Sequence, residues 1–231
     1  MSHDPVVIVG SARTPLGGVH GALEPERAPD LGGTALRAAV EGADVNGDAV
    51  DEVIMGCVLP AGLGQAPARQ ASLAAGLPLA TGCTTVNKMC GSGMKAAMLA
   101  HDLLLAGSGR VMAAGGMESM TNAPYLLDRA RGGYRLGHNT VSDHMFLDGL
   151  EDAYDKGRLM GSFAEACADQ FGFTREAQDD FAIRSLDRAN RAITDGTFGL
   201  EIAPVTEHSR KGDSIVEHDE QPGNARLDKI P

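Results

Sequence analysis

The strongest constraint on this chain is an alternation. Short apolar runs that end at or near a glycine take turns with alanine-rich stretches of helical spacing. Residues 5–10 (Pro-Val-Val-Ile-Val-Gly), 50–57 (Val-Asp-Glu-Val-Ile-Met-Gly-Cys), 84–87 and 109–116 (Gly-Arg-Val-Met-Ala-Ala-Gly-Gly) read as strands. The first and last are apolar almost throughout, as strands covered on both faces are. Residues 29–43, 67–75 and 91–106 read as the helices between them. Strands alternating with helices predict an α/β fold with a largely parallel sheet.

Composition sets the materials. The 231 residues include 43% hydrophobic side chains, enough for a sizeable core, but no tryptophan and only 4% aromatics. The core must therefore rest on Ala, Val, Leu, Ile and Met. The 30 glycines exceed the usual share of about 7% and point to tight turns and close backbone approach. A formal net charge of -11 argues against nucleic acid as a partner. No stretch is apolar for long enough to span a bilayer, and the amino terminus lacks the pattern of a signal peptide. The four cysteines, Cys57, Cys83, Cys90 and Cys167, show neither zinc-ligand nor CxxC spacing. The expectation is a soluble cytoplasmic protein with free thiols and no metal.

After Gly116 the texture changes. Residues 125–156 are rich in Gly, Asp, Arg and His and read as an inserted loop region. Two helices are expected next, at 161–171 and 174–195, with Thr174 as N-cap of the second. There Phe181, Ala182, Leu186, Ala189 and Ile193 share a broad face. Residues 201–206 suit another strand, and everything from His208 onward reads as a polar segment without regular structure. This division gives a first unit at 1–120 and a second at 121–231. The chain ends at Pro231 in a polar segment, where a docked element would ordinarily close a domain; the expectation is an incomplete carboxy end.

The segment Thr85-Val86-Asn87-Lys88-Met89-Cys90-Gly91-Ser92-Gly93 carries the chemistry. A short strand delivers a cysteine to the start of a helix that is apolar nearly all round (Met94, Ala96, Ala97, Met98, Leu99, Ala100, Leu103, Leu104 and Leu105), as an interior helix is. Unpaired N–H groups and the positive end of the helix dipole stabilise a thiolate, and a thiolate is the nucleophile. Gly91 and Gly93 leave room for a ligand, and the same amides suit a developing oxyanion. The pattern equally suits an inert buried cysteine packing a helix start.

The motifs around that segment resemble the thiolase family, over nearly the whole chain and in the family's order. Besides the nucleophile segment they are Ser11-Ala12-Arg13-Thr14-Pro15 after the first strand, Gly56-Cys57-Val58-Leu59-Pro60-Ala61-Gly62, Gln65-Ala66-Pro67-Ala68-Arg69-Gln70, Ala114-Gly115-Gly116-Met117-Glu118-Ser119-Met120, and Met160-Gly161 ahead of Glu165. The resemblance implies a layered α-β-α fold, here the amino-terminal half with part of an inserted loop domain. It implies thiolysis of a 3-ketoacyl-CoA, or the reverse Claisen condensation, through an acyl-enzyme on Cys90. Acyl-CoA and coenzyme A are then the partners, as substrates, with no further cofactor. It implies a homodimer or homotetramer.

Met117, Arg158, Leu159 and Met160 resemble positions of the family's substrate pocket. Thiolases of short acyl chains often carry a histidine where Leu159 stands, so a strict acetoacetyl-CoA specificity is not expected. The family's second cysteine, its histidine and its oxyanion asparagine have no match here, which predicts negligible turnover from the 231 residues alone. Cys57, Cys83 and Cys167 are expected to be small core residues and His101 a satisfied core histidine. His138 and His144 fall in the loop region without ligand spacing, and His208 and His218 are expected to be solvated. Arg129, Arg131, Arg135, Arg158, Arg210 and Lys211 are the cations at hand for a CoA polyphosphate. Two other readings share the fold: a non-catalytic acyl-CoA or lipid-binding relative, and a ketoacyl synthase. The segments around Cys90 and Met117 favour thiolase over synthase.

Overall fold

A computed structural model of the chain describes residues 6–209 and 212–230. Its centre is a parallel three-stranded sheet in the order β2-β1-β3. The strands are β1 (Glu52–Gly56), β2 (Gly82–Val86) and β3 (Met112–Gly116). Helix α1 (Ala28–Gly42) precedes β1, α2 (Pro67–Ala74) joins β1 to β2, and α3 (Ser92–Leu105) joins β2 to β3. Each predicted strand and helix between 28 and 116 is present, with ends moved by at most three residues.

Alternation along β1 explains the layering. Val53 and Met55 point to one face, where they pack with Ala28, Leu36, Ala68, Ala71, Leu77 and Met117 from the side of α1 and α2. Ile54 points to the other and meets Ala96 and Ala100 of α3. The three β1 residues are essentially inaccessible to solvent, and burying each contributes about 1.5–3 kcal/mol. The result is helix, sheet, helix: the layered α-β-α arrangement.

Three expectations fail here. The apolar run at 6–10 forms no strand; Ile8 is 90% exposed. Among the described residues no strand lies alongside it, and a strand exists only where its N–H and C=O groups find a ladder partner. Helix α3 is not buried all round. Its inward stripe is Ser92, Ala96 and Ala100, whereas Met94 is 73% exposed and Met98 and Leu105 are also open. Only one layer lies against it. His101, on the open side, is exposed and paired with Asp102 at 3.2 Å, so it is no core histidine.

The second region is looser. Short β4 (Tyr125–Leu126) and β5 (Ser142–Asp143) pair antiparallel, and a π-helical turn follows at Phe146–Leu150. Helices α4 (Met160–Phe171) and α5 (Arg175–Thr194) stand where expected, and the Thr174 hydroxyl accepts from the Ala177 amide as its cap. Neither helix contains a buried residue.

The expected strand at 201–206 begins later, as β6 (Val205–Ser209), preceded by an isolated bridge between Ile202 and Arg13. The segment from His208 onward is not structureless. β7 (Gly212–Val216) pairs with β6 as a hairpin and a short helix α6 (Glu220–Asn224) follows. The ladder supplies what the side-chain pattern does not announce. No helix of the described residues is long and apolar enough to cross a membrane.

Candidate active site

Cys90 sits at the junction of β2 and α3, one residue before the Gly91 N-cap. The turn that presents it is built locally. The Asn87 side chain accepts from the Met89 amide at 2.9 Å, and Met89 takes a left-handed conformation with φ 51°. A side chain other than glycine is held there at a cost of about 1–3 kcal/mol. Ser92 closes the turn: its hydroxyl accepts from the Lys88 amide at 2.8 Å and donates to the Met89 carbonyl at 2.5 Å. Cys90 is left exposed at the apex, against the first turn of α3, where the Ser92 amide is already bonded to the Met89 carbonyl at 2.9 Å.

Glycines let this turn approach the sheet. A Cβ on Gly56, the last residue of β1, would lie 2.5 Å from the Ser92 Cβ and 2.7 Å from the Gly93 nitrogen. Gly93 in turn packs on the backbone of Gly115 and Gly116 at the end of β3. Backbone rests directly on backbone beneath Cys90. Gly91 has a negative φ of -87°, and its amide donates to the Lys88 carbonyl at 3.2 Å, so it is not the unpaired oxyanion donor expected of it.

A cleft of about 1090 Å³ opens beside Cys90. Met89, Cys90, Ser92 and Gly93 form one wall, residues 6–19 another, and Met117–Thr121 the floor. The cleft thus unites Cys90, Gly93 and Met117. It does not reach Arg158, Leu159 or Met160. Leu159 caps α4, Met160 begins it, and the Arg158 guanidinium lies 3.9 Å over the Phe163 ring and 3.5 Å from Asp155. Arg129, Arg131 and Arg135 are exposed; Arg210 and Lys211 lie outside the described residues, as does the side chain of His208.

The other thiols differ from Cys90. Cys57 lines the same cleft but is buried, with Glu118 at 3.6 Å from its sulfur. Burial first, then the Glu118 charge, push its thiol up to about 12. Cys83 is half-buried and points to the Thr81 carbonyl. Cys167 is exposed on α4, contrary to the core role expected of it, since no residue of that helix is buried among the described residues.

Sequence reasoning missed several supporting residues. Glu118 accepts from the Val58 and Leu59 amides at 2.7 and 3.2 Å and so fastens the loop after β1. His144 is buried: the Ala61 amide donates to its Nε2 at 3.4 Å, leaving Nδ1 to donate to Asp148 at 2.8 Å. Asn87 ahead of a turn was the one readable signal, since its side chain favours such local bonds. His218 is exposed, as expected. Among the described residues no group of three or more His, Cys, Asp and Glu is placed to hold a metal ion.

A three-layered α-β-α core presents a cysteine at a strand-to-helix turn, and the sequence places it: residues 6–230 match the family described as thiolase, N-terminal domain, and the chain belongs to that family. It is 49% identical to acetyl-CoA acetyltransferase 2 of Arabidopsis thaliana over 97% of its own length and 57% of that protein's. Against acetyl-CoA acetyltransferase of Cupriavidus necator it is 48% identical over 91% and 53%. Among solved structures, Acat5 thiolase from Ascaris suum in complex with coenzyme A superposes with a TM-score of 0.88 at 35% identity, covering 97% of this chain and 56% of that one. The acetyl-CoA acetyltransferase of Syntrophomonas wolfei gives the same score at 39% identity. The chain spans a little over half the length of these relatives.

Proposed function

We propose that this chain is the nucleophile-bearing part of an acyl-CoA acyltransferase, acting in thiolysis of a 3-ketoacyl-CoA or the reverse condensation. One observation carries the reading: of the two thiols on the cleft, Cys90 is open at a built turn while Cys57 is buried and held protonated beside Glu118. In thiolysis the Cys90 sulfur attacks the 3-keto carbon, the bond between C2 and C3 breaks, and the departing acetyl-CoA carbanion takes up a proton; in the condensation the sulfur attacks the thioester carbonyl of an acyl-CoA instead. There a bond from sulfur to the acyl carbon forms, the bond from that carbon to the CoA sulfur breaks, and the departing CoA thiolate takes up a proton. Splitting transfer into acylation and release replaces one hard step by two easier ones. With the Gly91 and Ser92 amides already bonded within the turn, the Gly93 amide is the donor for the developing oxyanion.

The substrates are CoA thioesters, and no separate cofactor is required. The protein that contains this chain acts as a homodimer or homotetramer, in the cytoplasm. Turnover by the 231 residues alone is negligible, since each missing general acid or base removes about a hundred- to ten-thousand-fold.

The test is chemical. Incubation with acetyl-CoA, followed by peptide mapping, should place the acetyl group on Cys90, and C90S should abolish it. With iodoacetamide, Cys90 and Cys167 should be alkylated in the native protein and Cys57 only after unfolding. Acetylation centred on Cys57, Cys83 or Cys167 would sink the proposal.

A further inference from the structure

One wall of the cleft has no secondary structure of its own. Between Arg13 and Leu23 the chain wanders across the molecule, yet it lines the cleft from Arg13 to Val19. Its order comes from two acidic residues about two hundred positions away. The Asp219 carboxylate receives both Arg13 Nη1 and Nη2, at 2.7 and 3.0 Å, and also the Leu16 amide at 2.8 Å. Arg13 Nε meanwhile donates to Glu201 at 2.6 Å. The next residue continues the clasp. The Glu220 amide donates to the Leu16 carbonyl, and its Oε2 accepts from the Gly18 and Ala22 amides at 2.8 and 3.0 Å.

Two glycines stand close against the clasp. A Cβ on Gly21 would lie 2.1 Å from Glu220 Oε2, and one on Gly18 would lie 2.6 Å from the Gln221 side-chain nitrogen. The loop has been pared to backbone where the carboxylate enters. Asp219 is only 8% exposed, so it is no solvated surface acid. Its hydrogen bonds from Arg13 hold its carboxyl below the usual range, and amide donors do the same for Glu220. At the far end of the loop the His20 amide donates to the Thr121 hydroxyl at 2.9 Å, which ties the same wall to the cleft floor.

We infer that Asp219 and Glu220 are positioning residues: through the amides of Leu16, Gly18 and Ala22 their carboxylates set the wall of the cleft against which an acyl-CoA lies beside Cys90. Neither carboxylate touches the reacting atoms. Both act by fixing where Leu16 and Val19, two exposed apolar side chains of that wall, stand relative to the sulfur. The inference rests on the acyltransferase reading above.

E220A removes the acceptor while leaving the core untouched, and G21A should eject the same carboxylate from the opposite side. Three quantities separate positioning from general damage: the acetyl-CoA concentration giving half-maximal acylation of Cys90, the maximal acylation rate, and the rate of Cys90 alkylation by iodoacetamide. In E220A and G21A the half-saturating concentration should rise at least fivefold, while the other two rates stay within about twofold. Hydrogen exchange at the Gly18 and Ala22 amides should speed up in both variants. E220Q, which keeps an oxygen for the two amides, should restore most of the affinity. Acylated wild type with E220A indistinguishable from it would overturn this inference alone. Wild type that takes no acetyl group would overturn the acyltransferase reading and this inference with it. A parallel fall in acylation and alkylation, not rescued by E220Q, would show a merely structural role and also overturn it.

Discussion

Helices α1 and α5 are both regular, at 15 and 20 residues, but they are stabilised in opposite ways. Helix α1 has no side-chain cap, and Arg27 at its N-cap position makes no capping bond; instead it buries Ala28, Pro29, Gly32, Gly33 and Leu36. Helix α5 buries nothing. It has the Thr174 cap, Glu176 in the first turn, Arg191 in the last, and an Arg175–Asp179 pair at 2.8 Å one turn apart. The first is a helix made by its neighbours and the second a helix made by its own sequence. Packing outweighs local signals where a partner buries a face; where no residue of the helix is buried, caps, charges and propensity carry more of the load.

Substitutions can sharpen or break this contrast. The largest effect belongs in the core: I54A removes a buried side chain between β1 and α3 and should cost about 2–5 kcal/mol in chemical denaturation. A cost below about 1 kcal/mol would mean that the α3 layer packs far more loosely than the geometry shows.

Acid comes next, at the junction of the two regions. Because the Asp219 carboxyl is held below its usual range by Arg13, its contribution is complete above an ordinary carboxylate pKa of about 3.9. It is lost as pH falls from there through the lowered folded value. The stability gap between wild type and D219N should therefore be wide at pH 6 and narrow at pH 3. A gap independent of pH would remove the Arg13–Asp219 pair from the account.

A smaller effect is expected of T174A, about 1 kcal/mol of helix stability, seen as faster hydrogen exchange in the first turn of α5 with β1 unchanged. Smallest of all, F181S changes a side chain that is 66% exposed and should change the unfolding free energy by no more than about 0.5 kcal/mol. A loss comparable to I54A would show that α5 is held by packing after all and would break the contrast.

What could be read in advance follows the same line. Residues 50–57 and 109–116 announced their strands because both faces are apolar, and Thr174 announced its helix because a cap is a local matter. Residues 6–10 misled, since an apolar run specifies a strand only when another strand is there to pair with it. The segment after His208 misled in reverse: its side chains are polar, but a hairpin is made of backbone bonds, and Asp219 is buried by Arg13, a partner no short window contains. Within the site, the type of Cys90 and its place before a helix were legible. The left-handed Met89, the Ser92 closure and the glycine floor at Gly56 were not, because they depend on how closely three elements meet.

The clasp between Arg13 and Asp219 joins positions 206 residues apart. On a ribosome that emits chain at about 5–20 residues per second, the loop beside Cys90 waits on the order of ten seconds or more for the carboxylates that order it. The α/β core, whose pairings are all made by residue 117, can settle in that interval with its thiol already in place. The cleft is thus finished last, by residues that contribute nothing to the core, and any lesion that sheds them leaves the Cys90 thiol without a shaped chamber around it.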